Sequence, residues 1–151
     1  MNIEIKPYTK DRIEDVVRFE EELRLYENIW GWEIDEAYLQ SVKESFENPL
    51  FHDSLSFLAY CGGRVVGRID SSMIRSRFDG STKAYLDWIC VLKSERHLGA
   101  AQALLAALRA ECKARGVSVL IALMANNDEA VSFYKSVGNA SMHDTGIWID
   151  I

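Results

Sequence analysis

Arg96-His97-Leu98-Gly99-Ala100-Ala101 is the stretch whose residue types and spacing best suit chemistry. It follows an apolar run from Tyr85 to Leu92 and opens an Ala/Leu-rich helical run from Gln102 to Arg115. The first turn of a helix carries unpaired backbone N–H groups and the positive end of the helix dipole, so it attracts a pyrophosphate. Gly99 allows close backbone approach, and Arg96 offers a forked cationic donor. Helix capping alone would also account for the pattern. Cys90 alternates with Leu86 and Trp88 and is expected on the core side, which argues against a nucleophilic thiol. His97 is expected to face solvent or a phosphate. His52 and His143 lack metal-ligand spacing, and no metal site is expected.

The elements that must position this stretch can be read from period and punctuation. Residues 2–7 alternate like a strand that stops at Pro7. Asp11 can cap a helix over 12–26, and Asp35 a second one to Glu47. Ser54 to Cys61 and Arg64 to Arg75 read as a hairpin joined by Gly62-Gly63. Lys83 to Leu92 is a further strand. The long helix ends near Gly116, and Val117 to Met124 reads as a buried strand. Asn127 caps a helix that runs to Val137. Met142 and Ile147 to Ile151 supply strand material at the end. The order β-α-α-β-β-β-α-β-α-β(β) predicts an α/β fold with a mixed central sheet of six to seven strands and four helices.

Composition bounds the rest. A chain of 151 residues, 48% hydrophobic and 26% charged, is expected to form a single domain over 1–151. No apolar run is long enough to cross a bilayer, and residues 1–6 lack a signal-peptide pattern, so a cytoplasmic protein is expected. Three widely spaced cysteines suit reduced thiols. The net charge of −6 argues against a nucleic-acid surface. Residues 1–50 hold 13 acids and 6 bases, a balance of −7, whereas residues 51–151 hold 10 acids and 11 bases, a balance of +1. That excess is either a solvated helix face or an acidic wall that attracts a cationic substrate.

Three motifs in one order resemble the GCN5-related N-acetyltransferase (GNAT) superfamily. They are Tyr85-Leu-Asp87-Trp-Ile89-Cys-Val91, then Arg96-x-x-Gly99-x-Ala101, then Asn127-x-x-Ala130-x-x-x-Tyr134-x-x-x-Gly138. They span about 84–138. The ending Met142-His143…Ile149-Asp150-Ile151 is similar to small aminoglycoside 3-N-acetyltransferases. Ala101 stands where many members have a second glycine, and Asn139 replaces a usual Phe.

The resemblance implies the GNAT fold, acetyl-CoA as cofactor, and acetyl transfer to a primary amine by direct attack in a ternary complex. It implies a pyrophosphate held by the N–H groups of Arg96, His97, Leu98, Gly99, Ala100 and Ala101. The pantetheine arm would pair with the main chain of Ile89 and Val91, and a main-chain N–H at Ile89 or Cys90 would polarise the thioester carbonyl. Asn127 would contact the arm from the other side. Tyr134 would be the general acid and Asp87 the base, placed with Tyr85 and Ile89 on one strand face. The alternatives are a packed tyrosine and a structural carboxylate. The acceptor region would draw on segments that supply Glu20, Glu21, Glu22, Tyr26, Trp30, Trp32, Asp35, Asp70, Asp79, Asp144 and Asp150, with Glu22, Tyr26, Trp30, Trp32, Asp35 and Asp144 as the candidate binding residues. Carboxylates and rings suit a small cationic amine, aminoglycoside-like or polyamine-like. A peptide or protein N-acetyltransferase and a non-catalytic acyl-CoA-binding module are the other readings. The resemblance also leaves room for a homodimer.

Overall fold

The structure, a computed structural model, describes residues 2–27 and 33–151. Four α-helices and five strands run in the order β1 (Glu4–Pro7), α1 (Ile13–Tyr26), α2 (Glu36–Ser45), β2 (Leu55–Cys61), β3 (Arg64–Arg75), β4 (Thr82–Val91), α3 (Ala100–Ala114), β5 (Leu120–Ala122) and α4 (Asp128–Ser136). The strands form one sheet in the order β1-β2-β3-β4-β5. The chain divides into two compact units, Met1–Ile121 and Ala122–Ile151. No helix among the described residues is long and apolar enough to cross a membrane.

The first unit is a meander of antiparallel strands with a helix on each face. β1 pairs with β2, β2 with β3 and β3 with β4, all antiparallel. Gly62 and Gly63 turn the β2–β3 hairpin with φ of 58° and 82°, the left-handed pair that a tight two-residue turn needs. Successive residues of β3 point to opposite faces, and each face has its own helix. Gly67 faces α3, where an added Cβ would lie 3.2 Å from Leu104. Arg68 faces α1, where it meets Glu20. Val16, Phe19 and Leu23 of α1, with Leu104 and Leu108 of α3, are almost wholly buried. Each such side chain contributes about 1.5–3 kcal/mol by leaving water. β4 and β5 are sheet neighbours joined through α3.

Three expectations are corrected here. The strand foreseen over Val117 to Met124 is only Leu120–Ala122, and it is not buried: Val119, Ile121 and Leu123 are 40–46% exposed. β5 is the outermost strand, with β4 its one neighbour in the sheet order, so it lacks the cover a central strand would have. Asp11 does not cap α1; it lies in a 3₁₀ turn, Lys10–Arg12, and Arg12 is the N-cap. The strands foreseen around Met142 and Ile147–Ile151 do not form among the described residues, so the sheet has five strands instead of six to seven.

The second unit shows why the last expectation fails. Asn139, three residues past the end of α4, has φ 63°, a left-handed conformation that asparagine tolerates. Gly146 then lies so close to Leu123 and the Trp148 ring that an added Cβ would sit 2.8 Å and 3.3 Å from them. A strand needs a ladder partner, and none pairs with this segment among the described residues. Ile147, Trp148, Ile149 and Ile151 remain exposed.

Candidate functional site

A bulge in β4 sets the geometry. The register passes from Leu86↔Ser71 to Trp88↔Asp70, so Asp87 is the extra residue. A bulge shifts the phase of alternation. Ala84, Leu86, Ile89 and Val91 sit opposite Met73, Ser71, Ile69 and Gly67, on the α3 face. Tyr85, Trp88 and Cys90 sit opposite Ser72, Asp70 and Arg68, on the α1 face. Two expectations therefore change. Asp87 does not share a face with both Tyr85 and Ile89, which lie on opposite sides. Cys90 shares its face with Trp88 but not with Leu86. Asp87 itself is exposed.

Beside the bulge, the α1 face holds a buried ionic network. Arg68 Nη1 donates to Glu20 Oε1 at 2.9 Å, and Arg68 Nη2 to Asp70 Oδ1 at 3.1 Å. Arg68 Nε lies 2.6 Å from Asp70 Oδ2. The Tyr38 hydroxyl reaches both Glu20 oxygens at 2.9 and 2.8 Å, and Ser56 Oγ donates to Asp70 at 2.7 Å. The Arg68 guanidinium stacks 4.8 Å from the Tyr8 ring and 5.8 Å from Trp88. Burial is the largest influence on the Arg68 cation and works against it, but Asp70, Tyr8 and Glu20 together outweigh it, so the proton is held more firmly than usual. Burial likewise pushes the Tyr8 phenol up.

Past the end of β4, a 3₁₀ turn, Lys93–Glu95, leads into the loop before α3. His97 has φ 64° and Gly99 φ 87°. Gly99 is the N-cap of α3, and space is open where its Cβ would stand. The first helical bond runs from Ala103 N–H to Gly99 C=O at 2.9 Å. The N–H groups of Ala100, Ala101 and Gln102 thus precede the intrahelical ladder, and a residue without a side chain stands before them. This cradle fits a pyrophosphate. The Arg96 side chain turns elsewhere: Nε donates to Val91 C=O at 3.1 Å, and Nη2 reaches both Glu27 oxygens at 2.7 and 2.8 Å. Burial, with the Glu27 carboxylate beside it, pushes the Cys90 thiol up to about 11, against the pull of Arg96. Cys90 is a neutral thiol at ordinary pH.

The remaining foreseen residues fall in several places. Asn127, Tyr134 and Asp144 belong to the second unit. Asn127 caps α4 by accepting from Ala130 N–H at 2.8 Å. Tyr134 is half-buried on α4, edge-on to Phe133 at 5.1 Å, and burial raises its phenol. Asp144 is exposed. In the first unit, Tyr26 is 74% exposed. Asp35 caps α2 by accepting from Tyr38 N–H at 2.8 Å. Glu22 is held by Arg64, which also binds Glu95. Trp30 and Trp32 lie outside the described residues.

The solvated-face reading describes only part of the acid on and just after α1, where Glu14 and Glu21 are exposed. Glu20, Glu22 and Glu27 each hold an arginine from later in the chain: Arg68, Arg64 and Arg96. Sequence reasoning missed Arg64 and Arg68, and it foresaw Arg96 as a phosphate ligand but not its pairing with Glu27. One signal was present: Arg68 and Asp70 interrupt the apolar run Val65-Val66-Gly67-Arg68-Ile69-Asp70 on a single strand face.

The sequence model of the acetyltransferase (GNAT) family matches residues 17–138. No curated protein matches the sequence. Several solved structures share the fold. AAC(6')-Iy, in complex with the bisubstrate analog CoA-S-monomethyl-acetylneamine, superposes with a TM-score of 0.78 at 21% identity, covering 100% of this chain and 99% of that one. The aminoglycoside 6'-N-acetyltransferase AAC(6')-Ih from Acinetobacter baumannii gives 0.72 at 17% identity, with 99% and 97% covered. A ribosomal-protein-alanine N-acetyltransferase from Brucella melitensis biovar Abortus 2308 gives 0.70 at 15% identity, with 99% and 100% covered.

Proposed function

The chain belongs to the acetyltransferase (GNAT) family, an N-acetyltransferase using acetyl-CoA, and we propose that its acceptor is a primary amine on a small cationic molecule, aminoglycoside-like or polyamine-like. The observation that carries the cofactor side is the α3 N-terminus behind Gly99, at φ 87° with open space in front of it, directly after the bulged strand. The acceptor side is supported by the aminoglycoside acetyltransferases among the similar folds and by the exposed ring of Tyr26, which suits a cation.

When bound, acetyl-CoA supplies an acyl carbon activated as a thioester. The main-chain N–H groups from Arg96 to Ala101 hold its pyrophosphate. The main chain of Ile89 and Val91 would pair with the pantetheine arm, and a main-chain N–H at Ile89 or Cys90 would polarise the thioester carbonyl. Asp87, exposed at the bulge, accepts the proton that the acceptor ammonium must lose before attack. Tyr134 keeps its phenolic proton at neutral pH, because burial raises it, and gives that proton to the departing sulfur. Asn127 keeps its capping role and adds a contact to the pantetheine arm. The proposal extends to a single acetyltransferase domain over 1–151 and to the cytoplasm.

The test is thiol release from acetyl-CoA with an aminoglycoside, a polyamine, an amino acid and an alanine-ended peptide as acceptors. Turnover with the aminoglycoside or polyamine is expected. Turnover with the peptide alone would move the acceptor to protein N-termini, a reading the ribosomal-protein-alanine acetyltransferase fold keeps in view. Tight acetyl-CoA binding with no thiol release from any acceptor would point to a binding module.

A further inference from the structure

Two arginines tie α1 to the segment that carries the phosphate cradle. Arg64, at the start of β3, binds Glu22 of α1 and Glu95 of the 3₁₀ turn. Arg96, the first residue of the cradle, binds Glu27 at the end of α1 and the Val91 carbonyl at the end of β4. Both side chains of the Glu27–Arg96 pair are only 22% exposed, so salt screens them weakly. A carboxylate that takes one Arg96 nitrogen with both oxygens leaves that guanidinium little reason to turn toward a phosphate. The loop also pays for its shape: His97, which is not a glycine, stands at φ 64° one residue later. A strained turn persists only where its surroundings hold it.

We propose that the Glu27–Arg96–Val91 clamp is a positioning device for the phosphate cradle: Arg96 shapes the loop from inside the fold, and Glu27, which lies on a different element, sets the affinity for the cofactor. This rests on the cradle being the pyrophosphate site. The two roles of Arg96 predict opposite signs for Glu27. If Arg96 served the phosphate directly, Glu27 would compete with the ligand, and Glu27→Gln would tighten binding. If Arg96 is a clamp, Glu27→Gln must weaken it.

The experiment titrates coenzyme A into the full chain, its Glu27→Gln and Arg96→Gln variants and the double variant. Amide hydrogen exchange across 92–101 is measured on the same four proteins without ligand. A charge-assisted hydrogen bond of this kind predicts a loss of roughly tenfold to a hundredfold in affinity for either single variant. The double variant is expected to be no worse than Arg96→Gln, which already loses the contact to Glu27 as well as the one to Val91. Exchange at 96–101 should speed up in all three. Tighter binding by Glu27→Gln, or unchanged binding and exchange, overturns the clamp. Weaker binding in Arg96→Gln alone assigns the guanidinium to the ligand instead. If the unaltered protein fails to bind coenzyme A, the pyrophosphate assignment falls, and the exchange data still decide whether Glu27 holds the loop.

Discussion

Two kinds of charged residue stand close together in the first unit, and their burial separates their work. Glu20 is 3% and Arg68 16% exposed in their side chains, whereas Glu14 and Arg18 are 89% and 70% exposed. Breaking a buried pair leaves an uncompensated charge in a poorly solvated place. Glu20→Ala is therefore expected to destabilise the fold by about 3 kcal/mol in urea unfolding, and Glu14→Ala by less than about 1 kcal/mol. Arg68→Lys should not rescue the network, because an ammonium cannot serve Glu20, Asp70 and two aromatic rings at once. Equal effects of the two glutamates would contradict this reading. The two residues proposed to move protons, Tyr134 and Asp87, have a different signature. Tyr134→Phe and Asp87→Asn are each expected to lower kcat by about a hundredfold while leaving acetyl-CoA affinity within about twofold. Loss of affinity in parallel with kcat would make either residue a scaffold.

At the scale of elements, Gly67 controls how closely α3 lies on the sheet. An added Cβ would stand 3.0 Å from Val91 Cγ2, 3.1 Å from the Cys90 carbonyl and 3.2 Å from Leu104 Cδ1. Two of these neighbours are core side chains and one is backbone, so the helix must move outward. Gly67→Ala is expected to cost about 1–3 kcal/mol and to leave Gly63→Ala-type strain out of account, since Gly67 has ordinary φ. Replacing Leu104 by Ala in the same chain should return part of that loss; a simple sum of the two effects would refute the packing account. The same elements show what the sequence disclosed. Gly62-Gly63, the Asp35 and Asn127 caps and the Gly99 turn are local signals, and each appears where its chemistry calls for it. The bulge at Asp87 was hidden, because a run as apolar as Tyr85 to Val91 carries no polar alternation whose break would reveal an inserted residue. The ion pairs were hidden for another reason. Arg64, Arg68 and Arg96 meet partners 42, 48 and 69 positions away, and no window of periodicity spans such distances.

Over the whole molecule, proton affinities are raised in buried groups that bind α1, β2 and β4 together, and this fixes where stability is lost in alkali. Tyr60 is 7% exposed and donates to Asp15 at 2.8 Å. Burial first, and then that bond, lift its phenol from 10.0 to about 12. Burial, joined by Glu27, lifts Cys90 from 9.0 to about 11. In both cases the folded chain keeps a proton that the unfolded chain has already released. The folded state thus binds more protons within each window, and stability must fall as pH rises. The contribution of Cys90 is complete below pH 9 and lost as pH passes about 11; that of Tyr60 is complete below pH 10 and lost as pH passes about 12. Urea midpoints are expected to stay level up to pH 9 and to decline beyond it. Cys90→Ala should flatten the first part of that decline, and Tyr60→Phe the second. Tyr60→Phe should also start about 1 kcal/mol lower at neutral pH, since it gives up the bond to Asp15. A Tyr60→Phe profile that ran parallel to the unaltered protein from pH 10 to about 12 would show that the phenol titrates freely, and the tether between α1 and β2 would have to be sought elsewhere.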